Sequence, residues 1–418
     1  MIRHSARRAP LLQWCLAVSL CWSAGALHSA HADWAAAPYA AEDIEHNSNI
    51  FDLPRGDTAP VGHNGPTFGD TSFETRAGID GTYMLDRQKF FGTAEFRRFE
   101  YDNFTLLDHN ELLFDGGLNW KVGREFDGLV DYRHEQRMVP YLDLASYTQL
   151  VLETDNVATA TFNVNVAPEW RLETRAKDHQ LNSPRIDIPG LSLHDDAIRE
   201  GLRYLGVSNL SAGAEAEYTE RRYTDDPTAA TPDFHQESLA LAANYIVSGY
   251  TNFAGNAGYT RRFDPTHQNF SGGTGSLAYV HSVTGKTAIS LQLSRAINSY
   301  ISTAGNEIDT TAFAVVTWQA TYKLAVKLGG GYTLSKYPQI PESTVLFTRV
   351  DHFELATAEV QYQLRRWLTL RPYAQYQTRS SNQSVFAFNA TQVGFELIAK
   401  PLLGTPLTAP LGPPAGLP

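Results

Sequence analysis

Cysteine is nearly missing from this chain: 418 residues hold two, Cys15 and Cys21. Both fall in the first 32 residues, so a chain that sheds its leader has none and cannot close its fold with disulfides. Methionine is scarce too, with three. After the first 30 residues no apolar run is long enough for a bilayer-crossing helix, which excludes a helical membrane protein. Mean hydropathy is −0.30, as expected where apolar residues alternate with polar ones. Positive charge is in deficit: 34 Lys and Arg against 45 Asp and Glu give a formal net charge of −11, which argues against a nucleic-acid partner. The motifs of common hydrolases are absent as well. There is no HExxH, no GxSxG and no Cys/His cluster, and the 13 histidines are scattered. The expectation is therefore no enzyme, no metal and no cofactor. Thr284-Gly285-Lys286-Thr287 resembles the end of a phosphate-binding loop, but Val280 stands where that loop needs a glycine, so it reads as a hairpin turn.

What is present begins with a leader. Arg3, Arg7 and Arg8 precede the apolar run Leu11 to Leu27, and Ala30-His31-Ala32 offers a small-x-small cleavage site. Residues 1–32 read as a Sec signal peptide. Val18-Ser19-Leu20 lacks the small residues that lipid attachment at Cys21 would need. Residues 33–400 read as one domain, and the Pro/Gly-rich stretch 401–418 as a disordered tail.

The unit that organises the chain is clearest from Thr311 to Ser335. Ala312, Ala314, Val316, Trp318 and Ala320 form one apolar row, and Leu324, Val326, Leu328, Tyr332 and Leu334 another. The residues between them are mostly small or polar. Side chains alternate faces along a strand, so this is a hairpin with one greasy and one wet side. Only Phe313 and Val315 break the pattern, since they point to the wet side. Equivalent segments follow one another from about Pro38, eighteen in all, with tight turns alternating with long polar loops. Aromatics such as Tyr83, Phe90, Trp120, Phe126, Trp170, Tyr245, Phe253, Trp318 and Trp367 gather beside the tight turns, the pattern of an interfacial girdle. The fold class this predicts is all-β, an antiparallel up-and-down transmembrane β-barrel of about 18 strands. A soluble sandwich or propeller would bury one face equally well, but it predicts neither strands of 13 residues nor the strict turn–loop alternation. An even strand count puts both ends on the short-turn, periplasmic side. Gln392 to Leu397 resembles the terminal-strand signal of outer-membrane proteins, so the expected location is the Gram-negative outer membrane.

Inward positions predicted to line a substrate path are Glu74, Arg76, Asp80, Glu95, Arg97, Asp131, Arg133, Arg171, Glu173, Arg175, Arg203, Glu215, Glu217, Lys327 and Arg371. Mixed signs so close together form ion pairs across neighbouring strands, and they also make a hydrated surface that binds weakly at each point. The 182–193 segment, with Ile186, Ile188 and Leu191, is expected to enter the bore. Arg/Tyr pairs recur at the loop-side strand ends: Phe96 to Tyr101, Tyr218 to Tyr223, Tyr259 to Asp264 and Tyr376 to Arg379. They suit lipopolysaccharide phosphates, braces for acidic loops, or a ring at the exit of a sugar-polymer path.

The stretch His46-Asn47-Ser48-Asn49-Ile50-Phe51-Asp52-Leu53-Pro54, together with those Tyr/Arg strand ends, resembles the EpsL-like outer-membrane barrels of exopolysaccharide systems, related to the putative β-barrel porins. Asn49 and Phe51 are the best motif matches. The resemblance implies export of a polysaccharide, with the polymer, outer-membrane lipid and lipopolysaccharide, and periplasmic export or synthesis components as partners. A general or sugar-selective diffusion porin is the alternative, and a passive structural or adhesive barrel comes third.

Overall fold

The computed structural model describes residues 34–54, 68–141, 148–184, 192–224, 233–263, 269–300, 305–337 and 349–400. The signal peptide, the tail and most of the 182–193 segment lie outside these.

Eighteen strands make one antiparallel sheet: β1 Trp34–Asn47, β2 Asp70–Leu85, β3 Gln88–Tyr101, β4 His109–Val122, β5 Phe126–Met138 and β6 Leu152–Ala167 come first. Next are β7 Trp170–Asn182, β8 Leu193–Val207, β9 Leu210–Tyr223, β10 Phe234–Ser248, β11 Thr251–Phe263 and β12 Phe270–Thr284. The last six are β13 Thr287–Tyr300, β14 Gly305–Gln319, β15 Leu324–Tyr337, β16 Arg349–Arg365, β17 Leu368–Ser381 and β18 Phe388–Ala399. Each strand pairs with its sequence neighbours, and β1 also pairs with β18, from Ala40↔Ala399 to Asn47↔Gln392. The sheet is therefore a closed cylinder with no free edge. That is what a strand array in hydrocarbon requires, because an open edge would leave N–H and C=O groups without partners.

The apolar row of each strand faces outward. Leu112, Val130, Leu202, Leu241, Leu277, Leu293, Leu328 and Val393 are all exposed. Aromatic rings pair along the tight-turn rim: Tyr83 with Phe90 at 6.1 Å, Trp170 with Tyr204 at 5.1 Å and Phe253 with Tyr279 at 4.7 Å. Rings in contact at one level form a belt suited to the membrane–water boundary. The tight turns have local causes. Asp86 takes φ 52° and Gly123 φ 65°, the left-handed region that short turns use. Pairing registers shift beside the turns at Asn165/Ala167, Ile246/Ser248, Ser282/Thr284 and Gln363/Arg365.

Two departures from regular alternation have physical reasons. Pro372 has no N–H to give, and the β16–β17 ladder lacks its rungs at Arg371 and Pro372 while keeping register on either side. Phe313 and Val315 do point inward, where they pack with Phe353, Leu355, Phe388 and Ala390 as a buried apolar stripe. The stripe fits because β15 presents Gly329 and Gly331 beneath it. A Cβ at Gly331 would lie 2.7 Å from the Phe313 ring. The first strand ends at Asn47, beyond which Asn49, Phe51 and Leu53 are buried.

Candidate functional site: the inner wall and the mouth

The wet face of the cylinder is divided. From β17 round through β1 to β9 it carries a near-continuous ladder of charges. Glu396, almost fully buried, is flanked by Arg76 and Arg371, and Arg76 Nε also meets Glu74 at 3.1 Å. Tyr39 donates to Glu95 at 2.5 Å, and Glu95 in turn accepts from Arg97 Nε at 2.5 Å. Arg97 Nη1 lies 3.4 Å from Glu111 and 3.5 Å from Glu135, while Arg133 also pairs with Glu135. Arg137 joins Glu153 at 2.7 Å, and His179 bridges Asp155 at 3.0 Å and Asp195 at 3.3 Å. Arg221 closes on Asp195 at 2.5 Å.

The other residues of the predicted path sit in the same ladder. Arg171 meets Asp127 at 2.5 Å, Arg203 meets Glu173 at 3.0 Å and Arg199 meets Glu217 at 2.6 Å. Glu215 accepts from Asn256 at 3.2 Å, and Asp80 binds Thr93 at 2.9 Å and Lys400 at 2.7 Å. Asp131 and Lys327 share the inward parity of their strands. Arg175 is exposed to the bore, pairs in register with Arg199, and makes no ion pair among the described residues. These pairs lie within one strand or join strands one or two apart in the sheet, so their charges are matched along the wall rather than across the opening.

The opposite arc differs. On β10, β12 and β13 the described inward residues include Gln236, Ser238, Asn244, Thr274, Ser276, Ser290, Gln292 and Ser294, and none is charged. On β11 the inward face carries Asn252, Asn256 and Thr260, with one charge, Arg262, at its loop end.

The mouth on the loop side is partly roofed. Phe51 and Leu53, after β1, are buried with Tyr101, Phe104, Leu107, Val139, Tyr141 and Val151 from the ends and loops of β3 to β6. The Phe51 ring meets Phe104 and Tyr141 edge-on at 5.0 and 4.9 Å. Asn49, itself buried, locks the turn. Its Oδ1 accepts from the Leu53 N–H at 3.1 Å, and its Nδ2 donates to the carbonyls of Leu53 at 2.8 Å and Asn389 at 3.2 Å. Asp52, at φ 49°, accepts from the inward Gln377 at 3.1 Å. Asp70 fastens the neighbouring loop by accepting from the N–H groups of Asn103 and Phe104, at 3.0 and 2.8 Å. The turn thus reaches from the inner side of β17 and β18 to the loops above β3 to β6. The stretch from Asn49 to Leu53 supplies the centre of this cap. The residues it packs against carried no motif that marked them.

No protein-family model and no characterised relative matches the chain. Similar solved structures include OccK2 (OpdF) of Pseudomonas aeruginosa in complex with glucuronate. It has 11% identity, covers 88% of this chain and 99% of that one, and gives a TM-score of 0.49. OccAB3 of Acinetobacter baumannii has 10% identity, coverage of 87% and 99%, and a TM-score of 0.47. The ferric enterobactin receptor PfeA of P. aeruginosa has 8% identity, coverage of 87% and 81%, and a TM-score of 0.45. The class of this chain rests on its own geometry: an eighteen-stranded antiparallel barrel with a lipid-compatible outside and a polar inside.

Proposed function

We propose that the chain is an outer-membrane conduit of porin type, through which small hydrophilic solutes diffuse. The observation that carries this reading is the placement of the cap relative to the two arcs of wall. The cap leans on β17, β18 and β1 to β6. The neutral arc centred on β11 lies across the ring from β2. A lane of amides and hydroxyls there offers replaceable hydrogen bonds with no fixed charge to trap a solute. Barrels of this strand number leave an aqueous channel, and a cap over one side narrows it toward the size of small molecules. The test is reconstitution of the full chain into liposomes and swelling in a graded series of neutral sugars. Rates that fall with solute size are expected. Impermeability to monosaccharides would refute the proposal.

Export of an exopolysaccharide is the second reading. What favours it is that the EpsL-like stretch is the buried heart of the cap, where a gate for a polymer would sit. A deletion strain that loses surface polysaccharide while keeping small-solute uptake would select it over free diffusion.

A further inference from the structure

On the lipid-facing side of β12 to β15 the wall is dented. Gly273 and Gly275 expose the backbone of β12 as a floor, and Leu277, Leu293, Ala312 and Tyr332 form one row across β12 to β15 on its tight-turn side. The groove encloses about 610 Å³. At its loop-side end stands Arg295, exposed, with only neutral acceptors: Nε donates to the Gly273 carbonyl and Nη1 to Thr310 Oγ1, both at 3.1 Å. Those two bonds leave three guanidinium N–H groups for a ligand. Lys336 is exposed on the same face. Arg295 faces Thr310, Thr310 faces Leu334, and Lys336 lies one outward row further toward the loops. Two strand spacings and one outward row separate the backbones of the two cations, about 12 Å, a gap their long side chains can close around one anion.

The other outward arginines are already matched. Arg98 pairs with Glu100 at 2.8 Å, and Arg222 with Asp196 at 2.5 Å and Glu220 at 3.6 Å. Arg261 lies over the Phe263 ring at 4.8 Å and pairs in register with Glu237. Neither Arg295 nor Lys336 has an ion pair among the described residues; the nearest outward acid by register is Glu354, opposite Tyr332.

We propose that this groove holds a phosphorylated, multiply acylated glycolipid of the outer leaflet. One acyl chain lies on the glycine floor, and a phosphate rests on Arg295 and Lys336. The charge matches, the depth matches the loop-side leaflet, and an apolar trough beneath a cationic end suits an amphiphile of that shape. The proposal does not depend on what passes through the bore.

The experiment is native mass spectrometry of the full chain in detergent, with bisphosphorylated lipid A and with its dephosphorylated form. Wild-type protein should retain the phosphorylated lipid at least about tenfold better, since a charge-assisted hydrogen bond is lost with the phosphate. Arg295→Gln and Lys336→Gln should each erode that preference, while Arg98→Gln should leave it intact. Gly273→Leu should weaken retention of both forms; a Cβ there meets only the Gly258 carbonyl, at 3.9 Å, so the variant can fold. Equal retention of the two lipids overturns the proposal, as does an Arg295→Gln/Lys336→Gln double variant that binds like wild type. A lipid-free wild-type oligomer that Gly273→Leu dissociates would overturn it too, because the groove would then be a contact between copies of this chain.

Discussion

Removing the Phe51 ring should open the mouth without unfolding the barrel. Phe51 is 1% exposed and sits between two edge-on rings. Phe→Ala at such a site costs about 3–5 kcal/mol, of which each aromatic pair supplies about 0.5–1.5 kcal/mol. That loss falls on the cap alone, since Phe51 belongs to a turn outside the strand ladder. At about 1.4 kcal/mol per decade, the uncapped population should rise by roughly two to three and a half orders of magnitude. In planar bilayers, Phe51→Ala should show larger and noisier conductance steps than wild type. Asn49→Ala should move the same way by less, because its neutral hydrogen bonds are worth about 1 kcal/mol each. The folded form should persist in both, seen as anomalous migration of unboiled samples in gels. Wild-type conductance in Phe51→Ala, with the cap shown by proteolysis to be released, would refute the idea that the cap narrows the path.

Other outcomes can be stated more briefly. Glu396→Gln leaves Arg76 and Arg371 facing a neutral amide at a site whose side chain is 2% exposed; breaking such a buried group costs about 3–5 kcal/mol, which should lower the temperature at which the folded gel band disappears. Gly331→Val pushes a side chain into the Phe313 ring and should destabilise by about 1–3 kcal/mol through overpacking, read in the same melt. Arg175→Glu reverses an exposed luminal charge that makes no ion pair among the described residues, so the reversal potential in a salt gradient should move toward cation preference. That shift should grow as salt is lowered from about 0.1 M, where the screening length is about 10 Å.

The barrel could be read from the sequence because its signal is repeated. One ambiguous hairpin means little, but eighteen with alternating turns and loops leave few other solutions. The inward parity of residues such as Glu95 and Arg171 follows from the same alternation. What could not be read was which charges meet. Arg97 reaches Glu111 and Glu135 on two further strands, a relation set by strand register and tilt that no spacing within one strand contains. The cap was hidden for a related reason. Phe51, Phe104 and Tyr141 come from three different loops, and loops carry no period to align them. Phe313 and Val315 stood out as misfits, and only the glycines directly opposite them on β15, with Phe353 and Leu355 on β16 beyond, show why they are tolerated.

The two arcs of wall also explain why cap and lane fall on opposite sides. Large charged side chains crowd the bore along β2 to β9, and there the described loop ends of β3 to β6 supply the apolar partners that Phe51 and Leu53 fold upon. Along β10 to β13 the inner face is mostly small and uncharged, and small residues from β9 to β12 interrupt the outer face. Outside lie Ala212, Ala214, Ala243, Gly255, Ala257, Gly273 and Gly275, and inside lie Ser238, Ala242, Ala254, Ser276 and Ser290. A wall thinned on both faces recedes from the axis inside and makes shallow grooves outside. One compositional choice therefore accounts for an uncharged lane within and for lipid-sized dents without. If that link is right, bulky residues placed inward on this arc, such as Ser276→Tyr, should cut solute flux more than the same change beside the charge ladder.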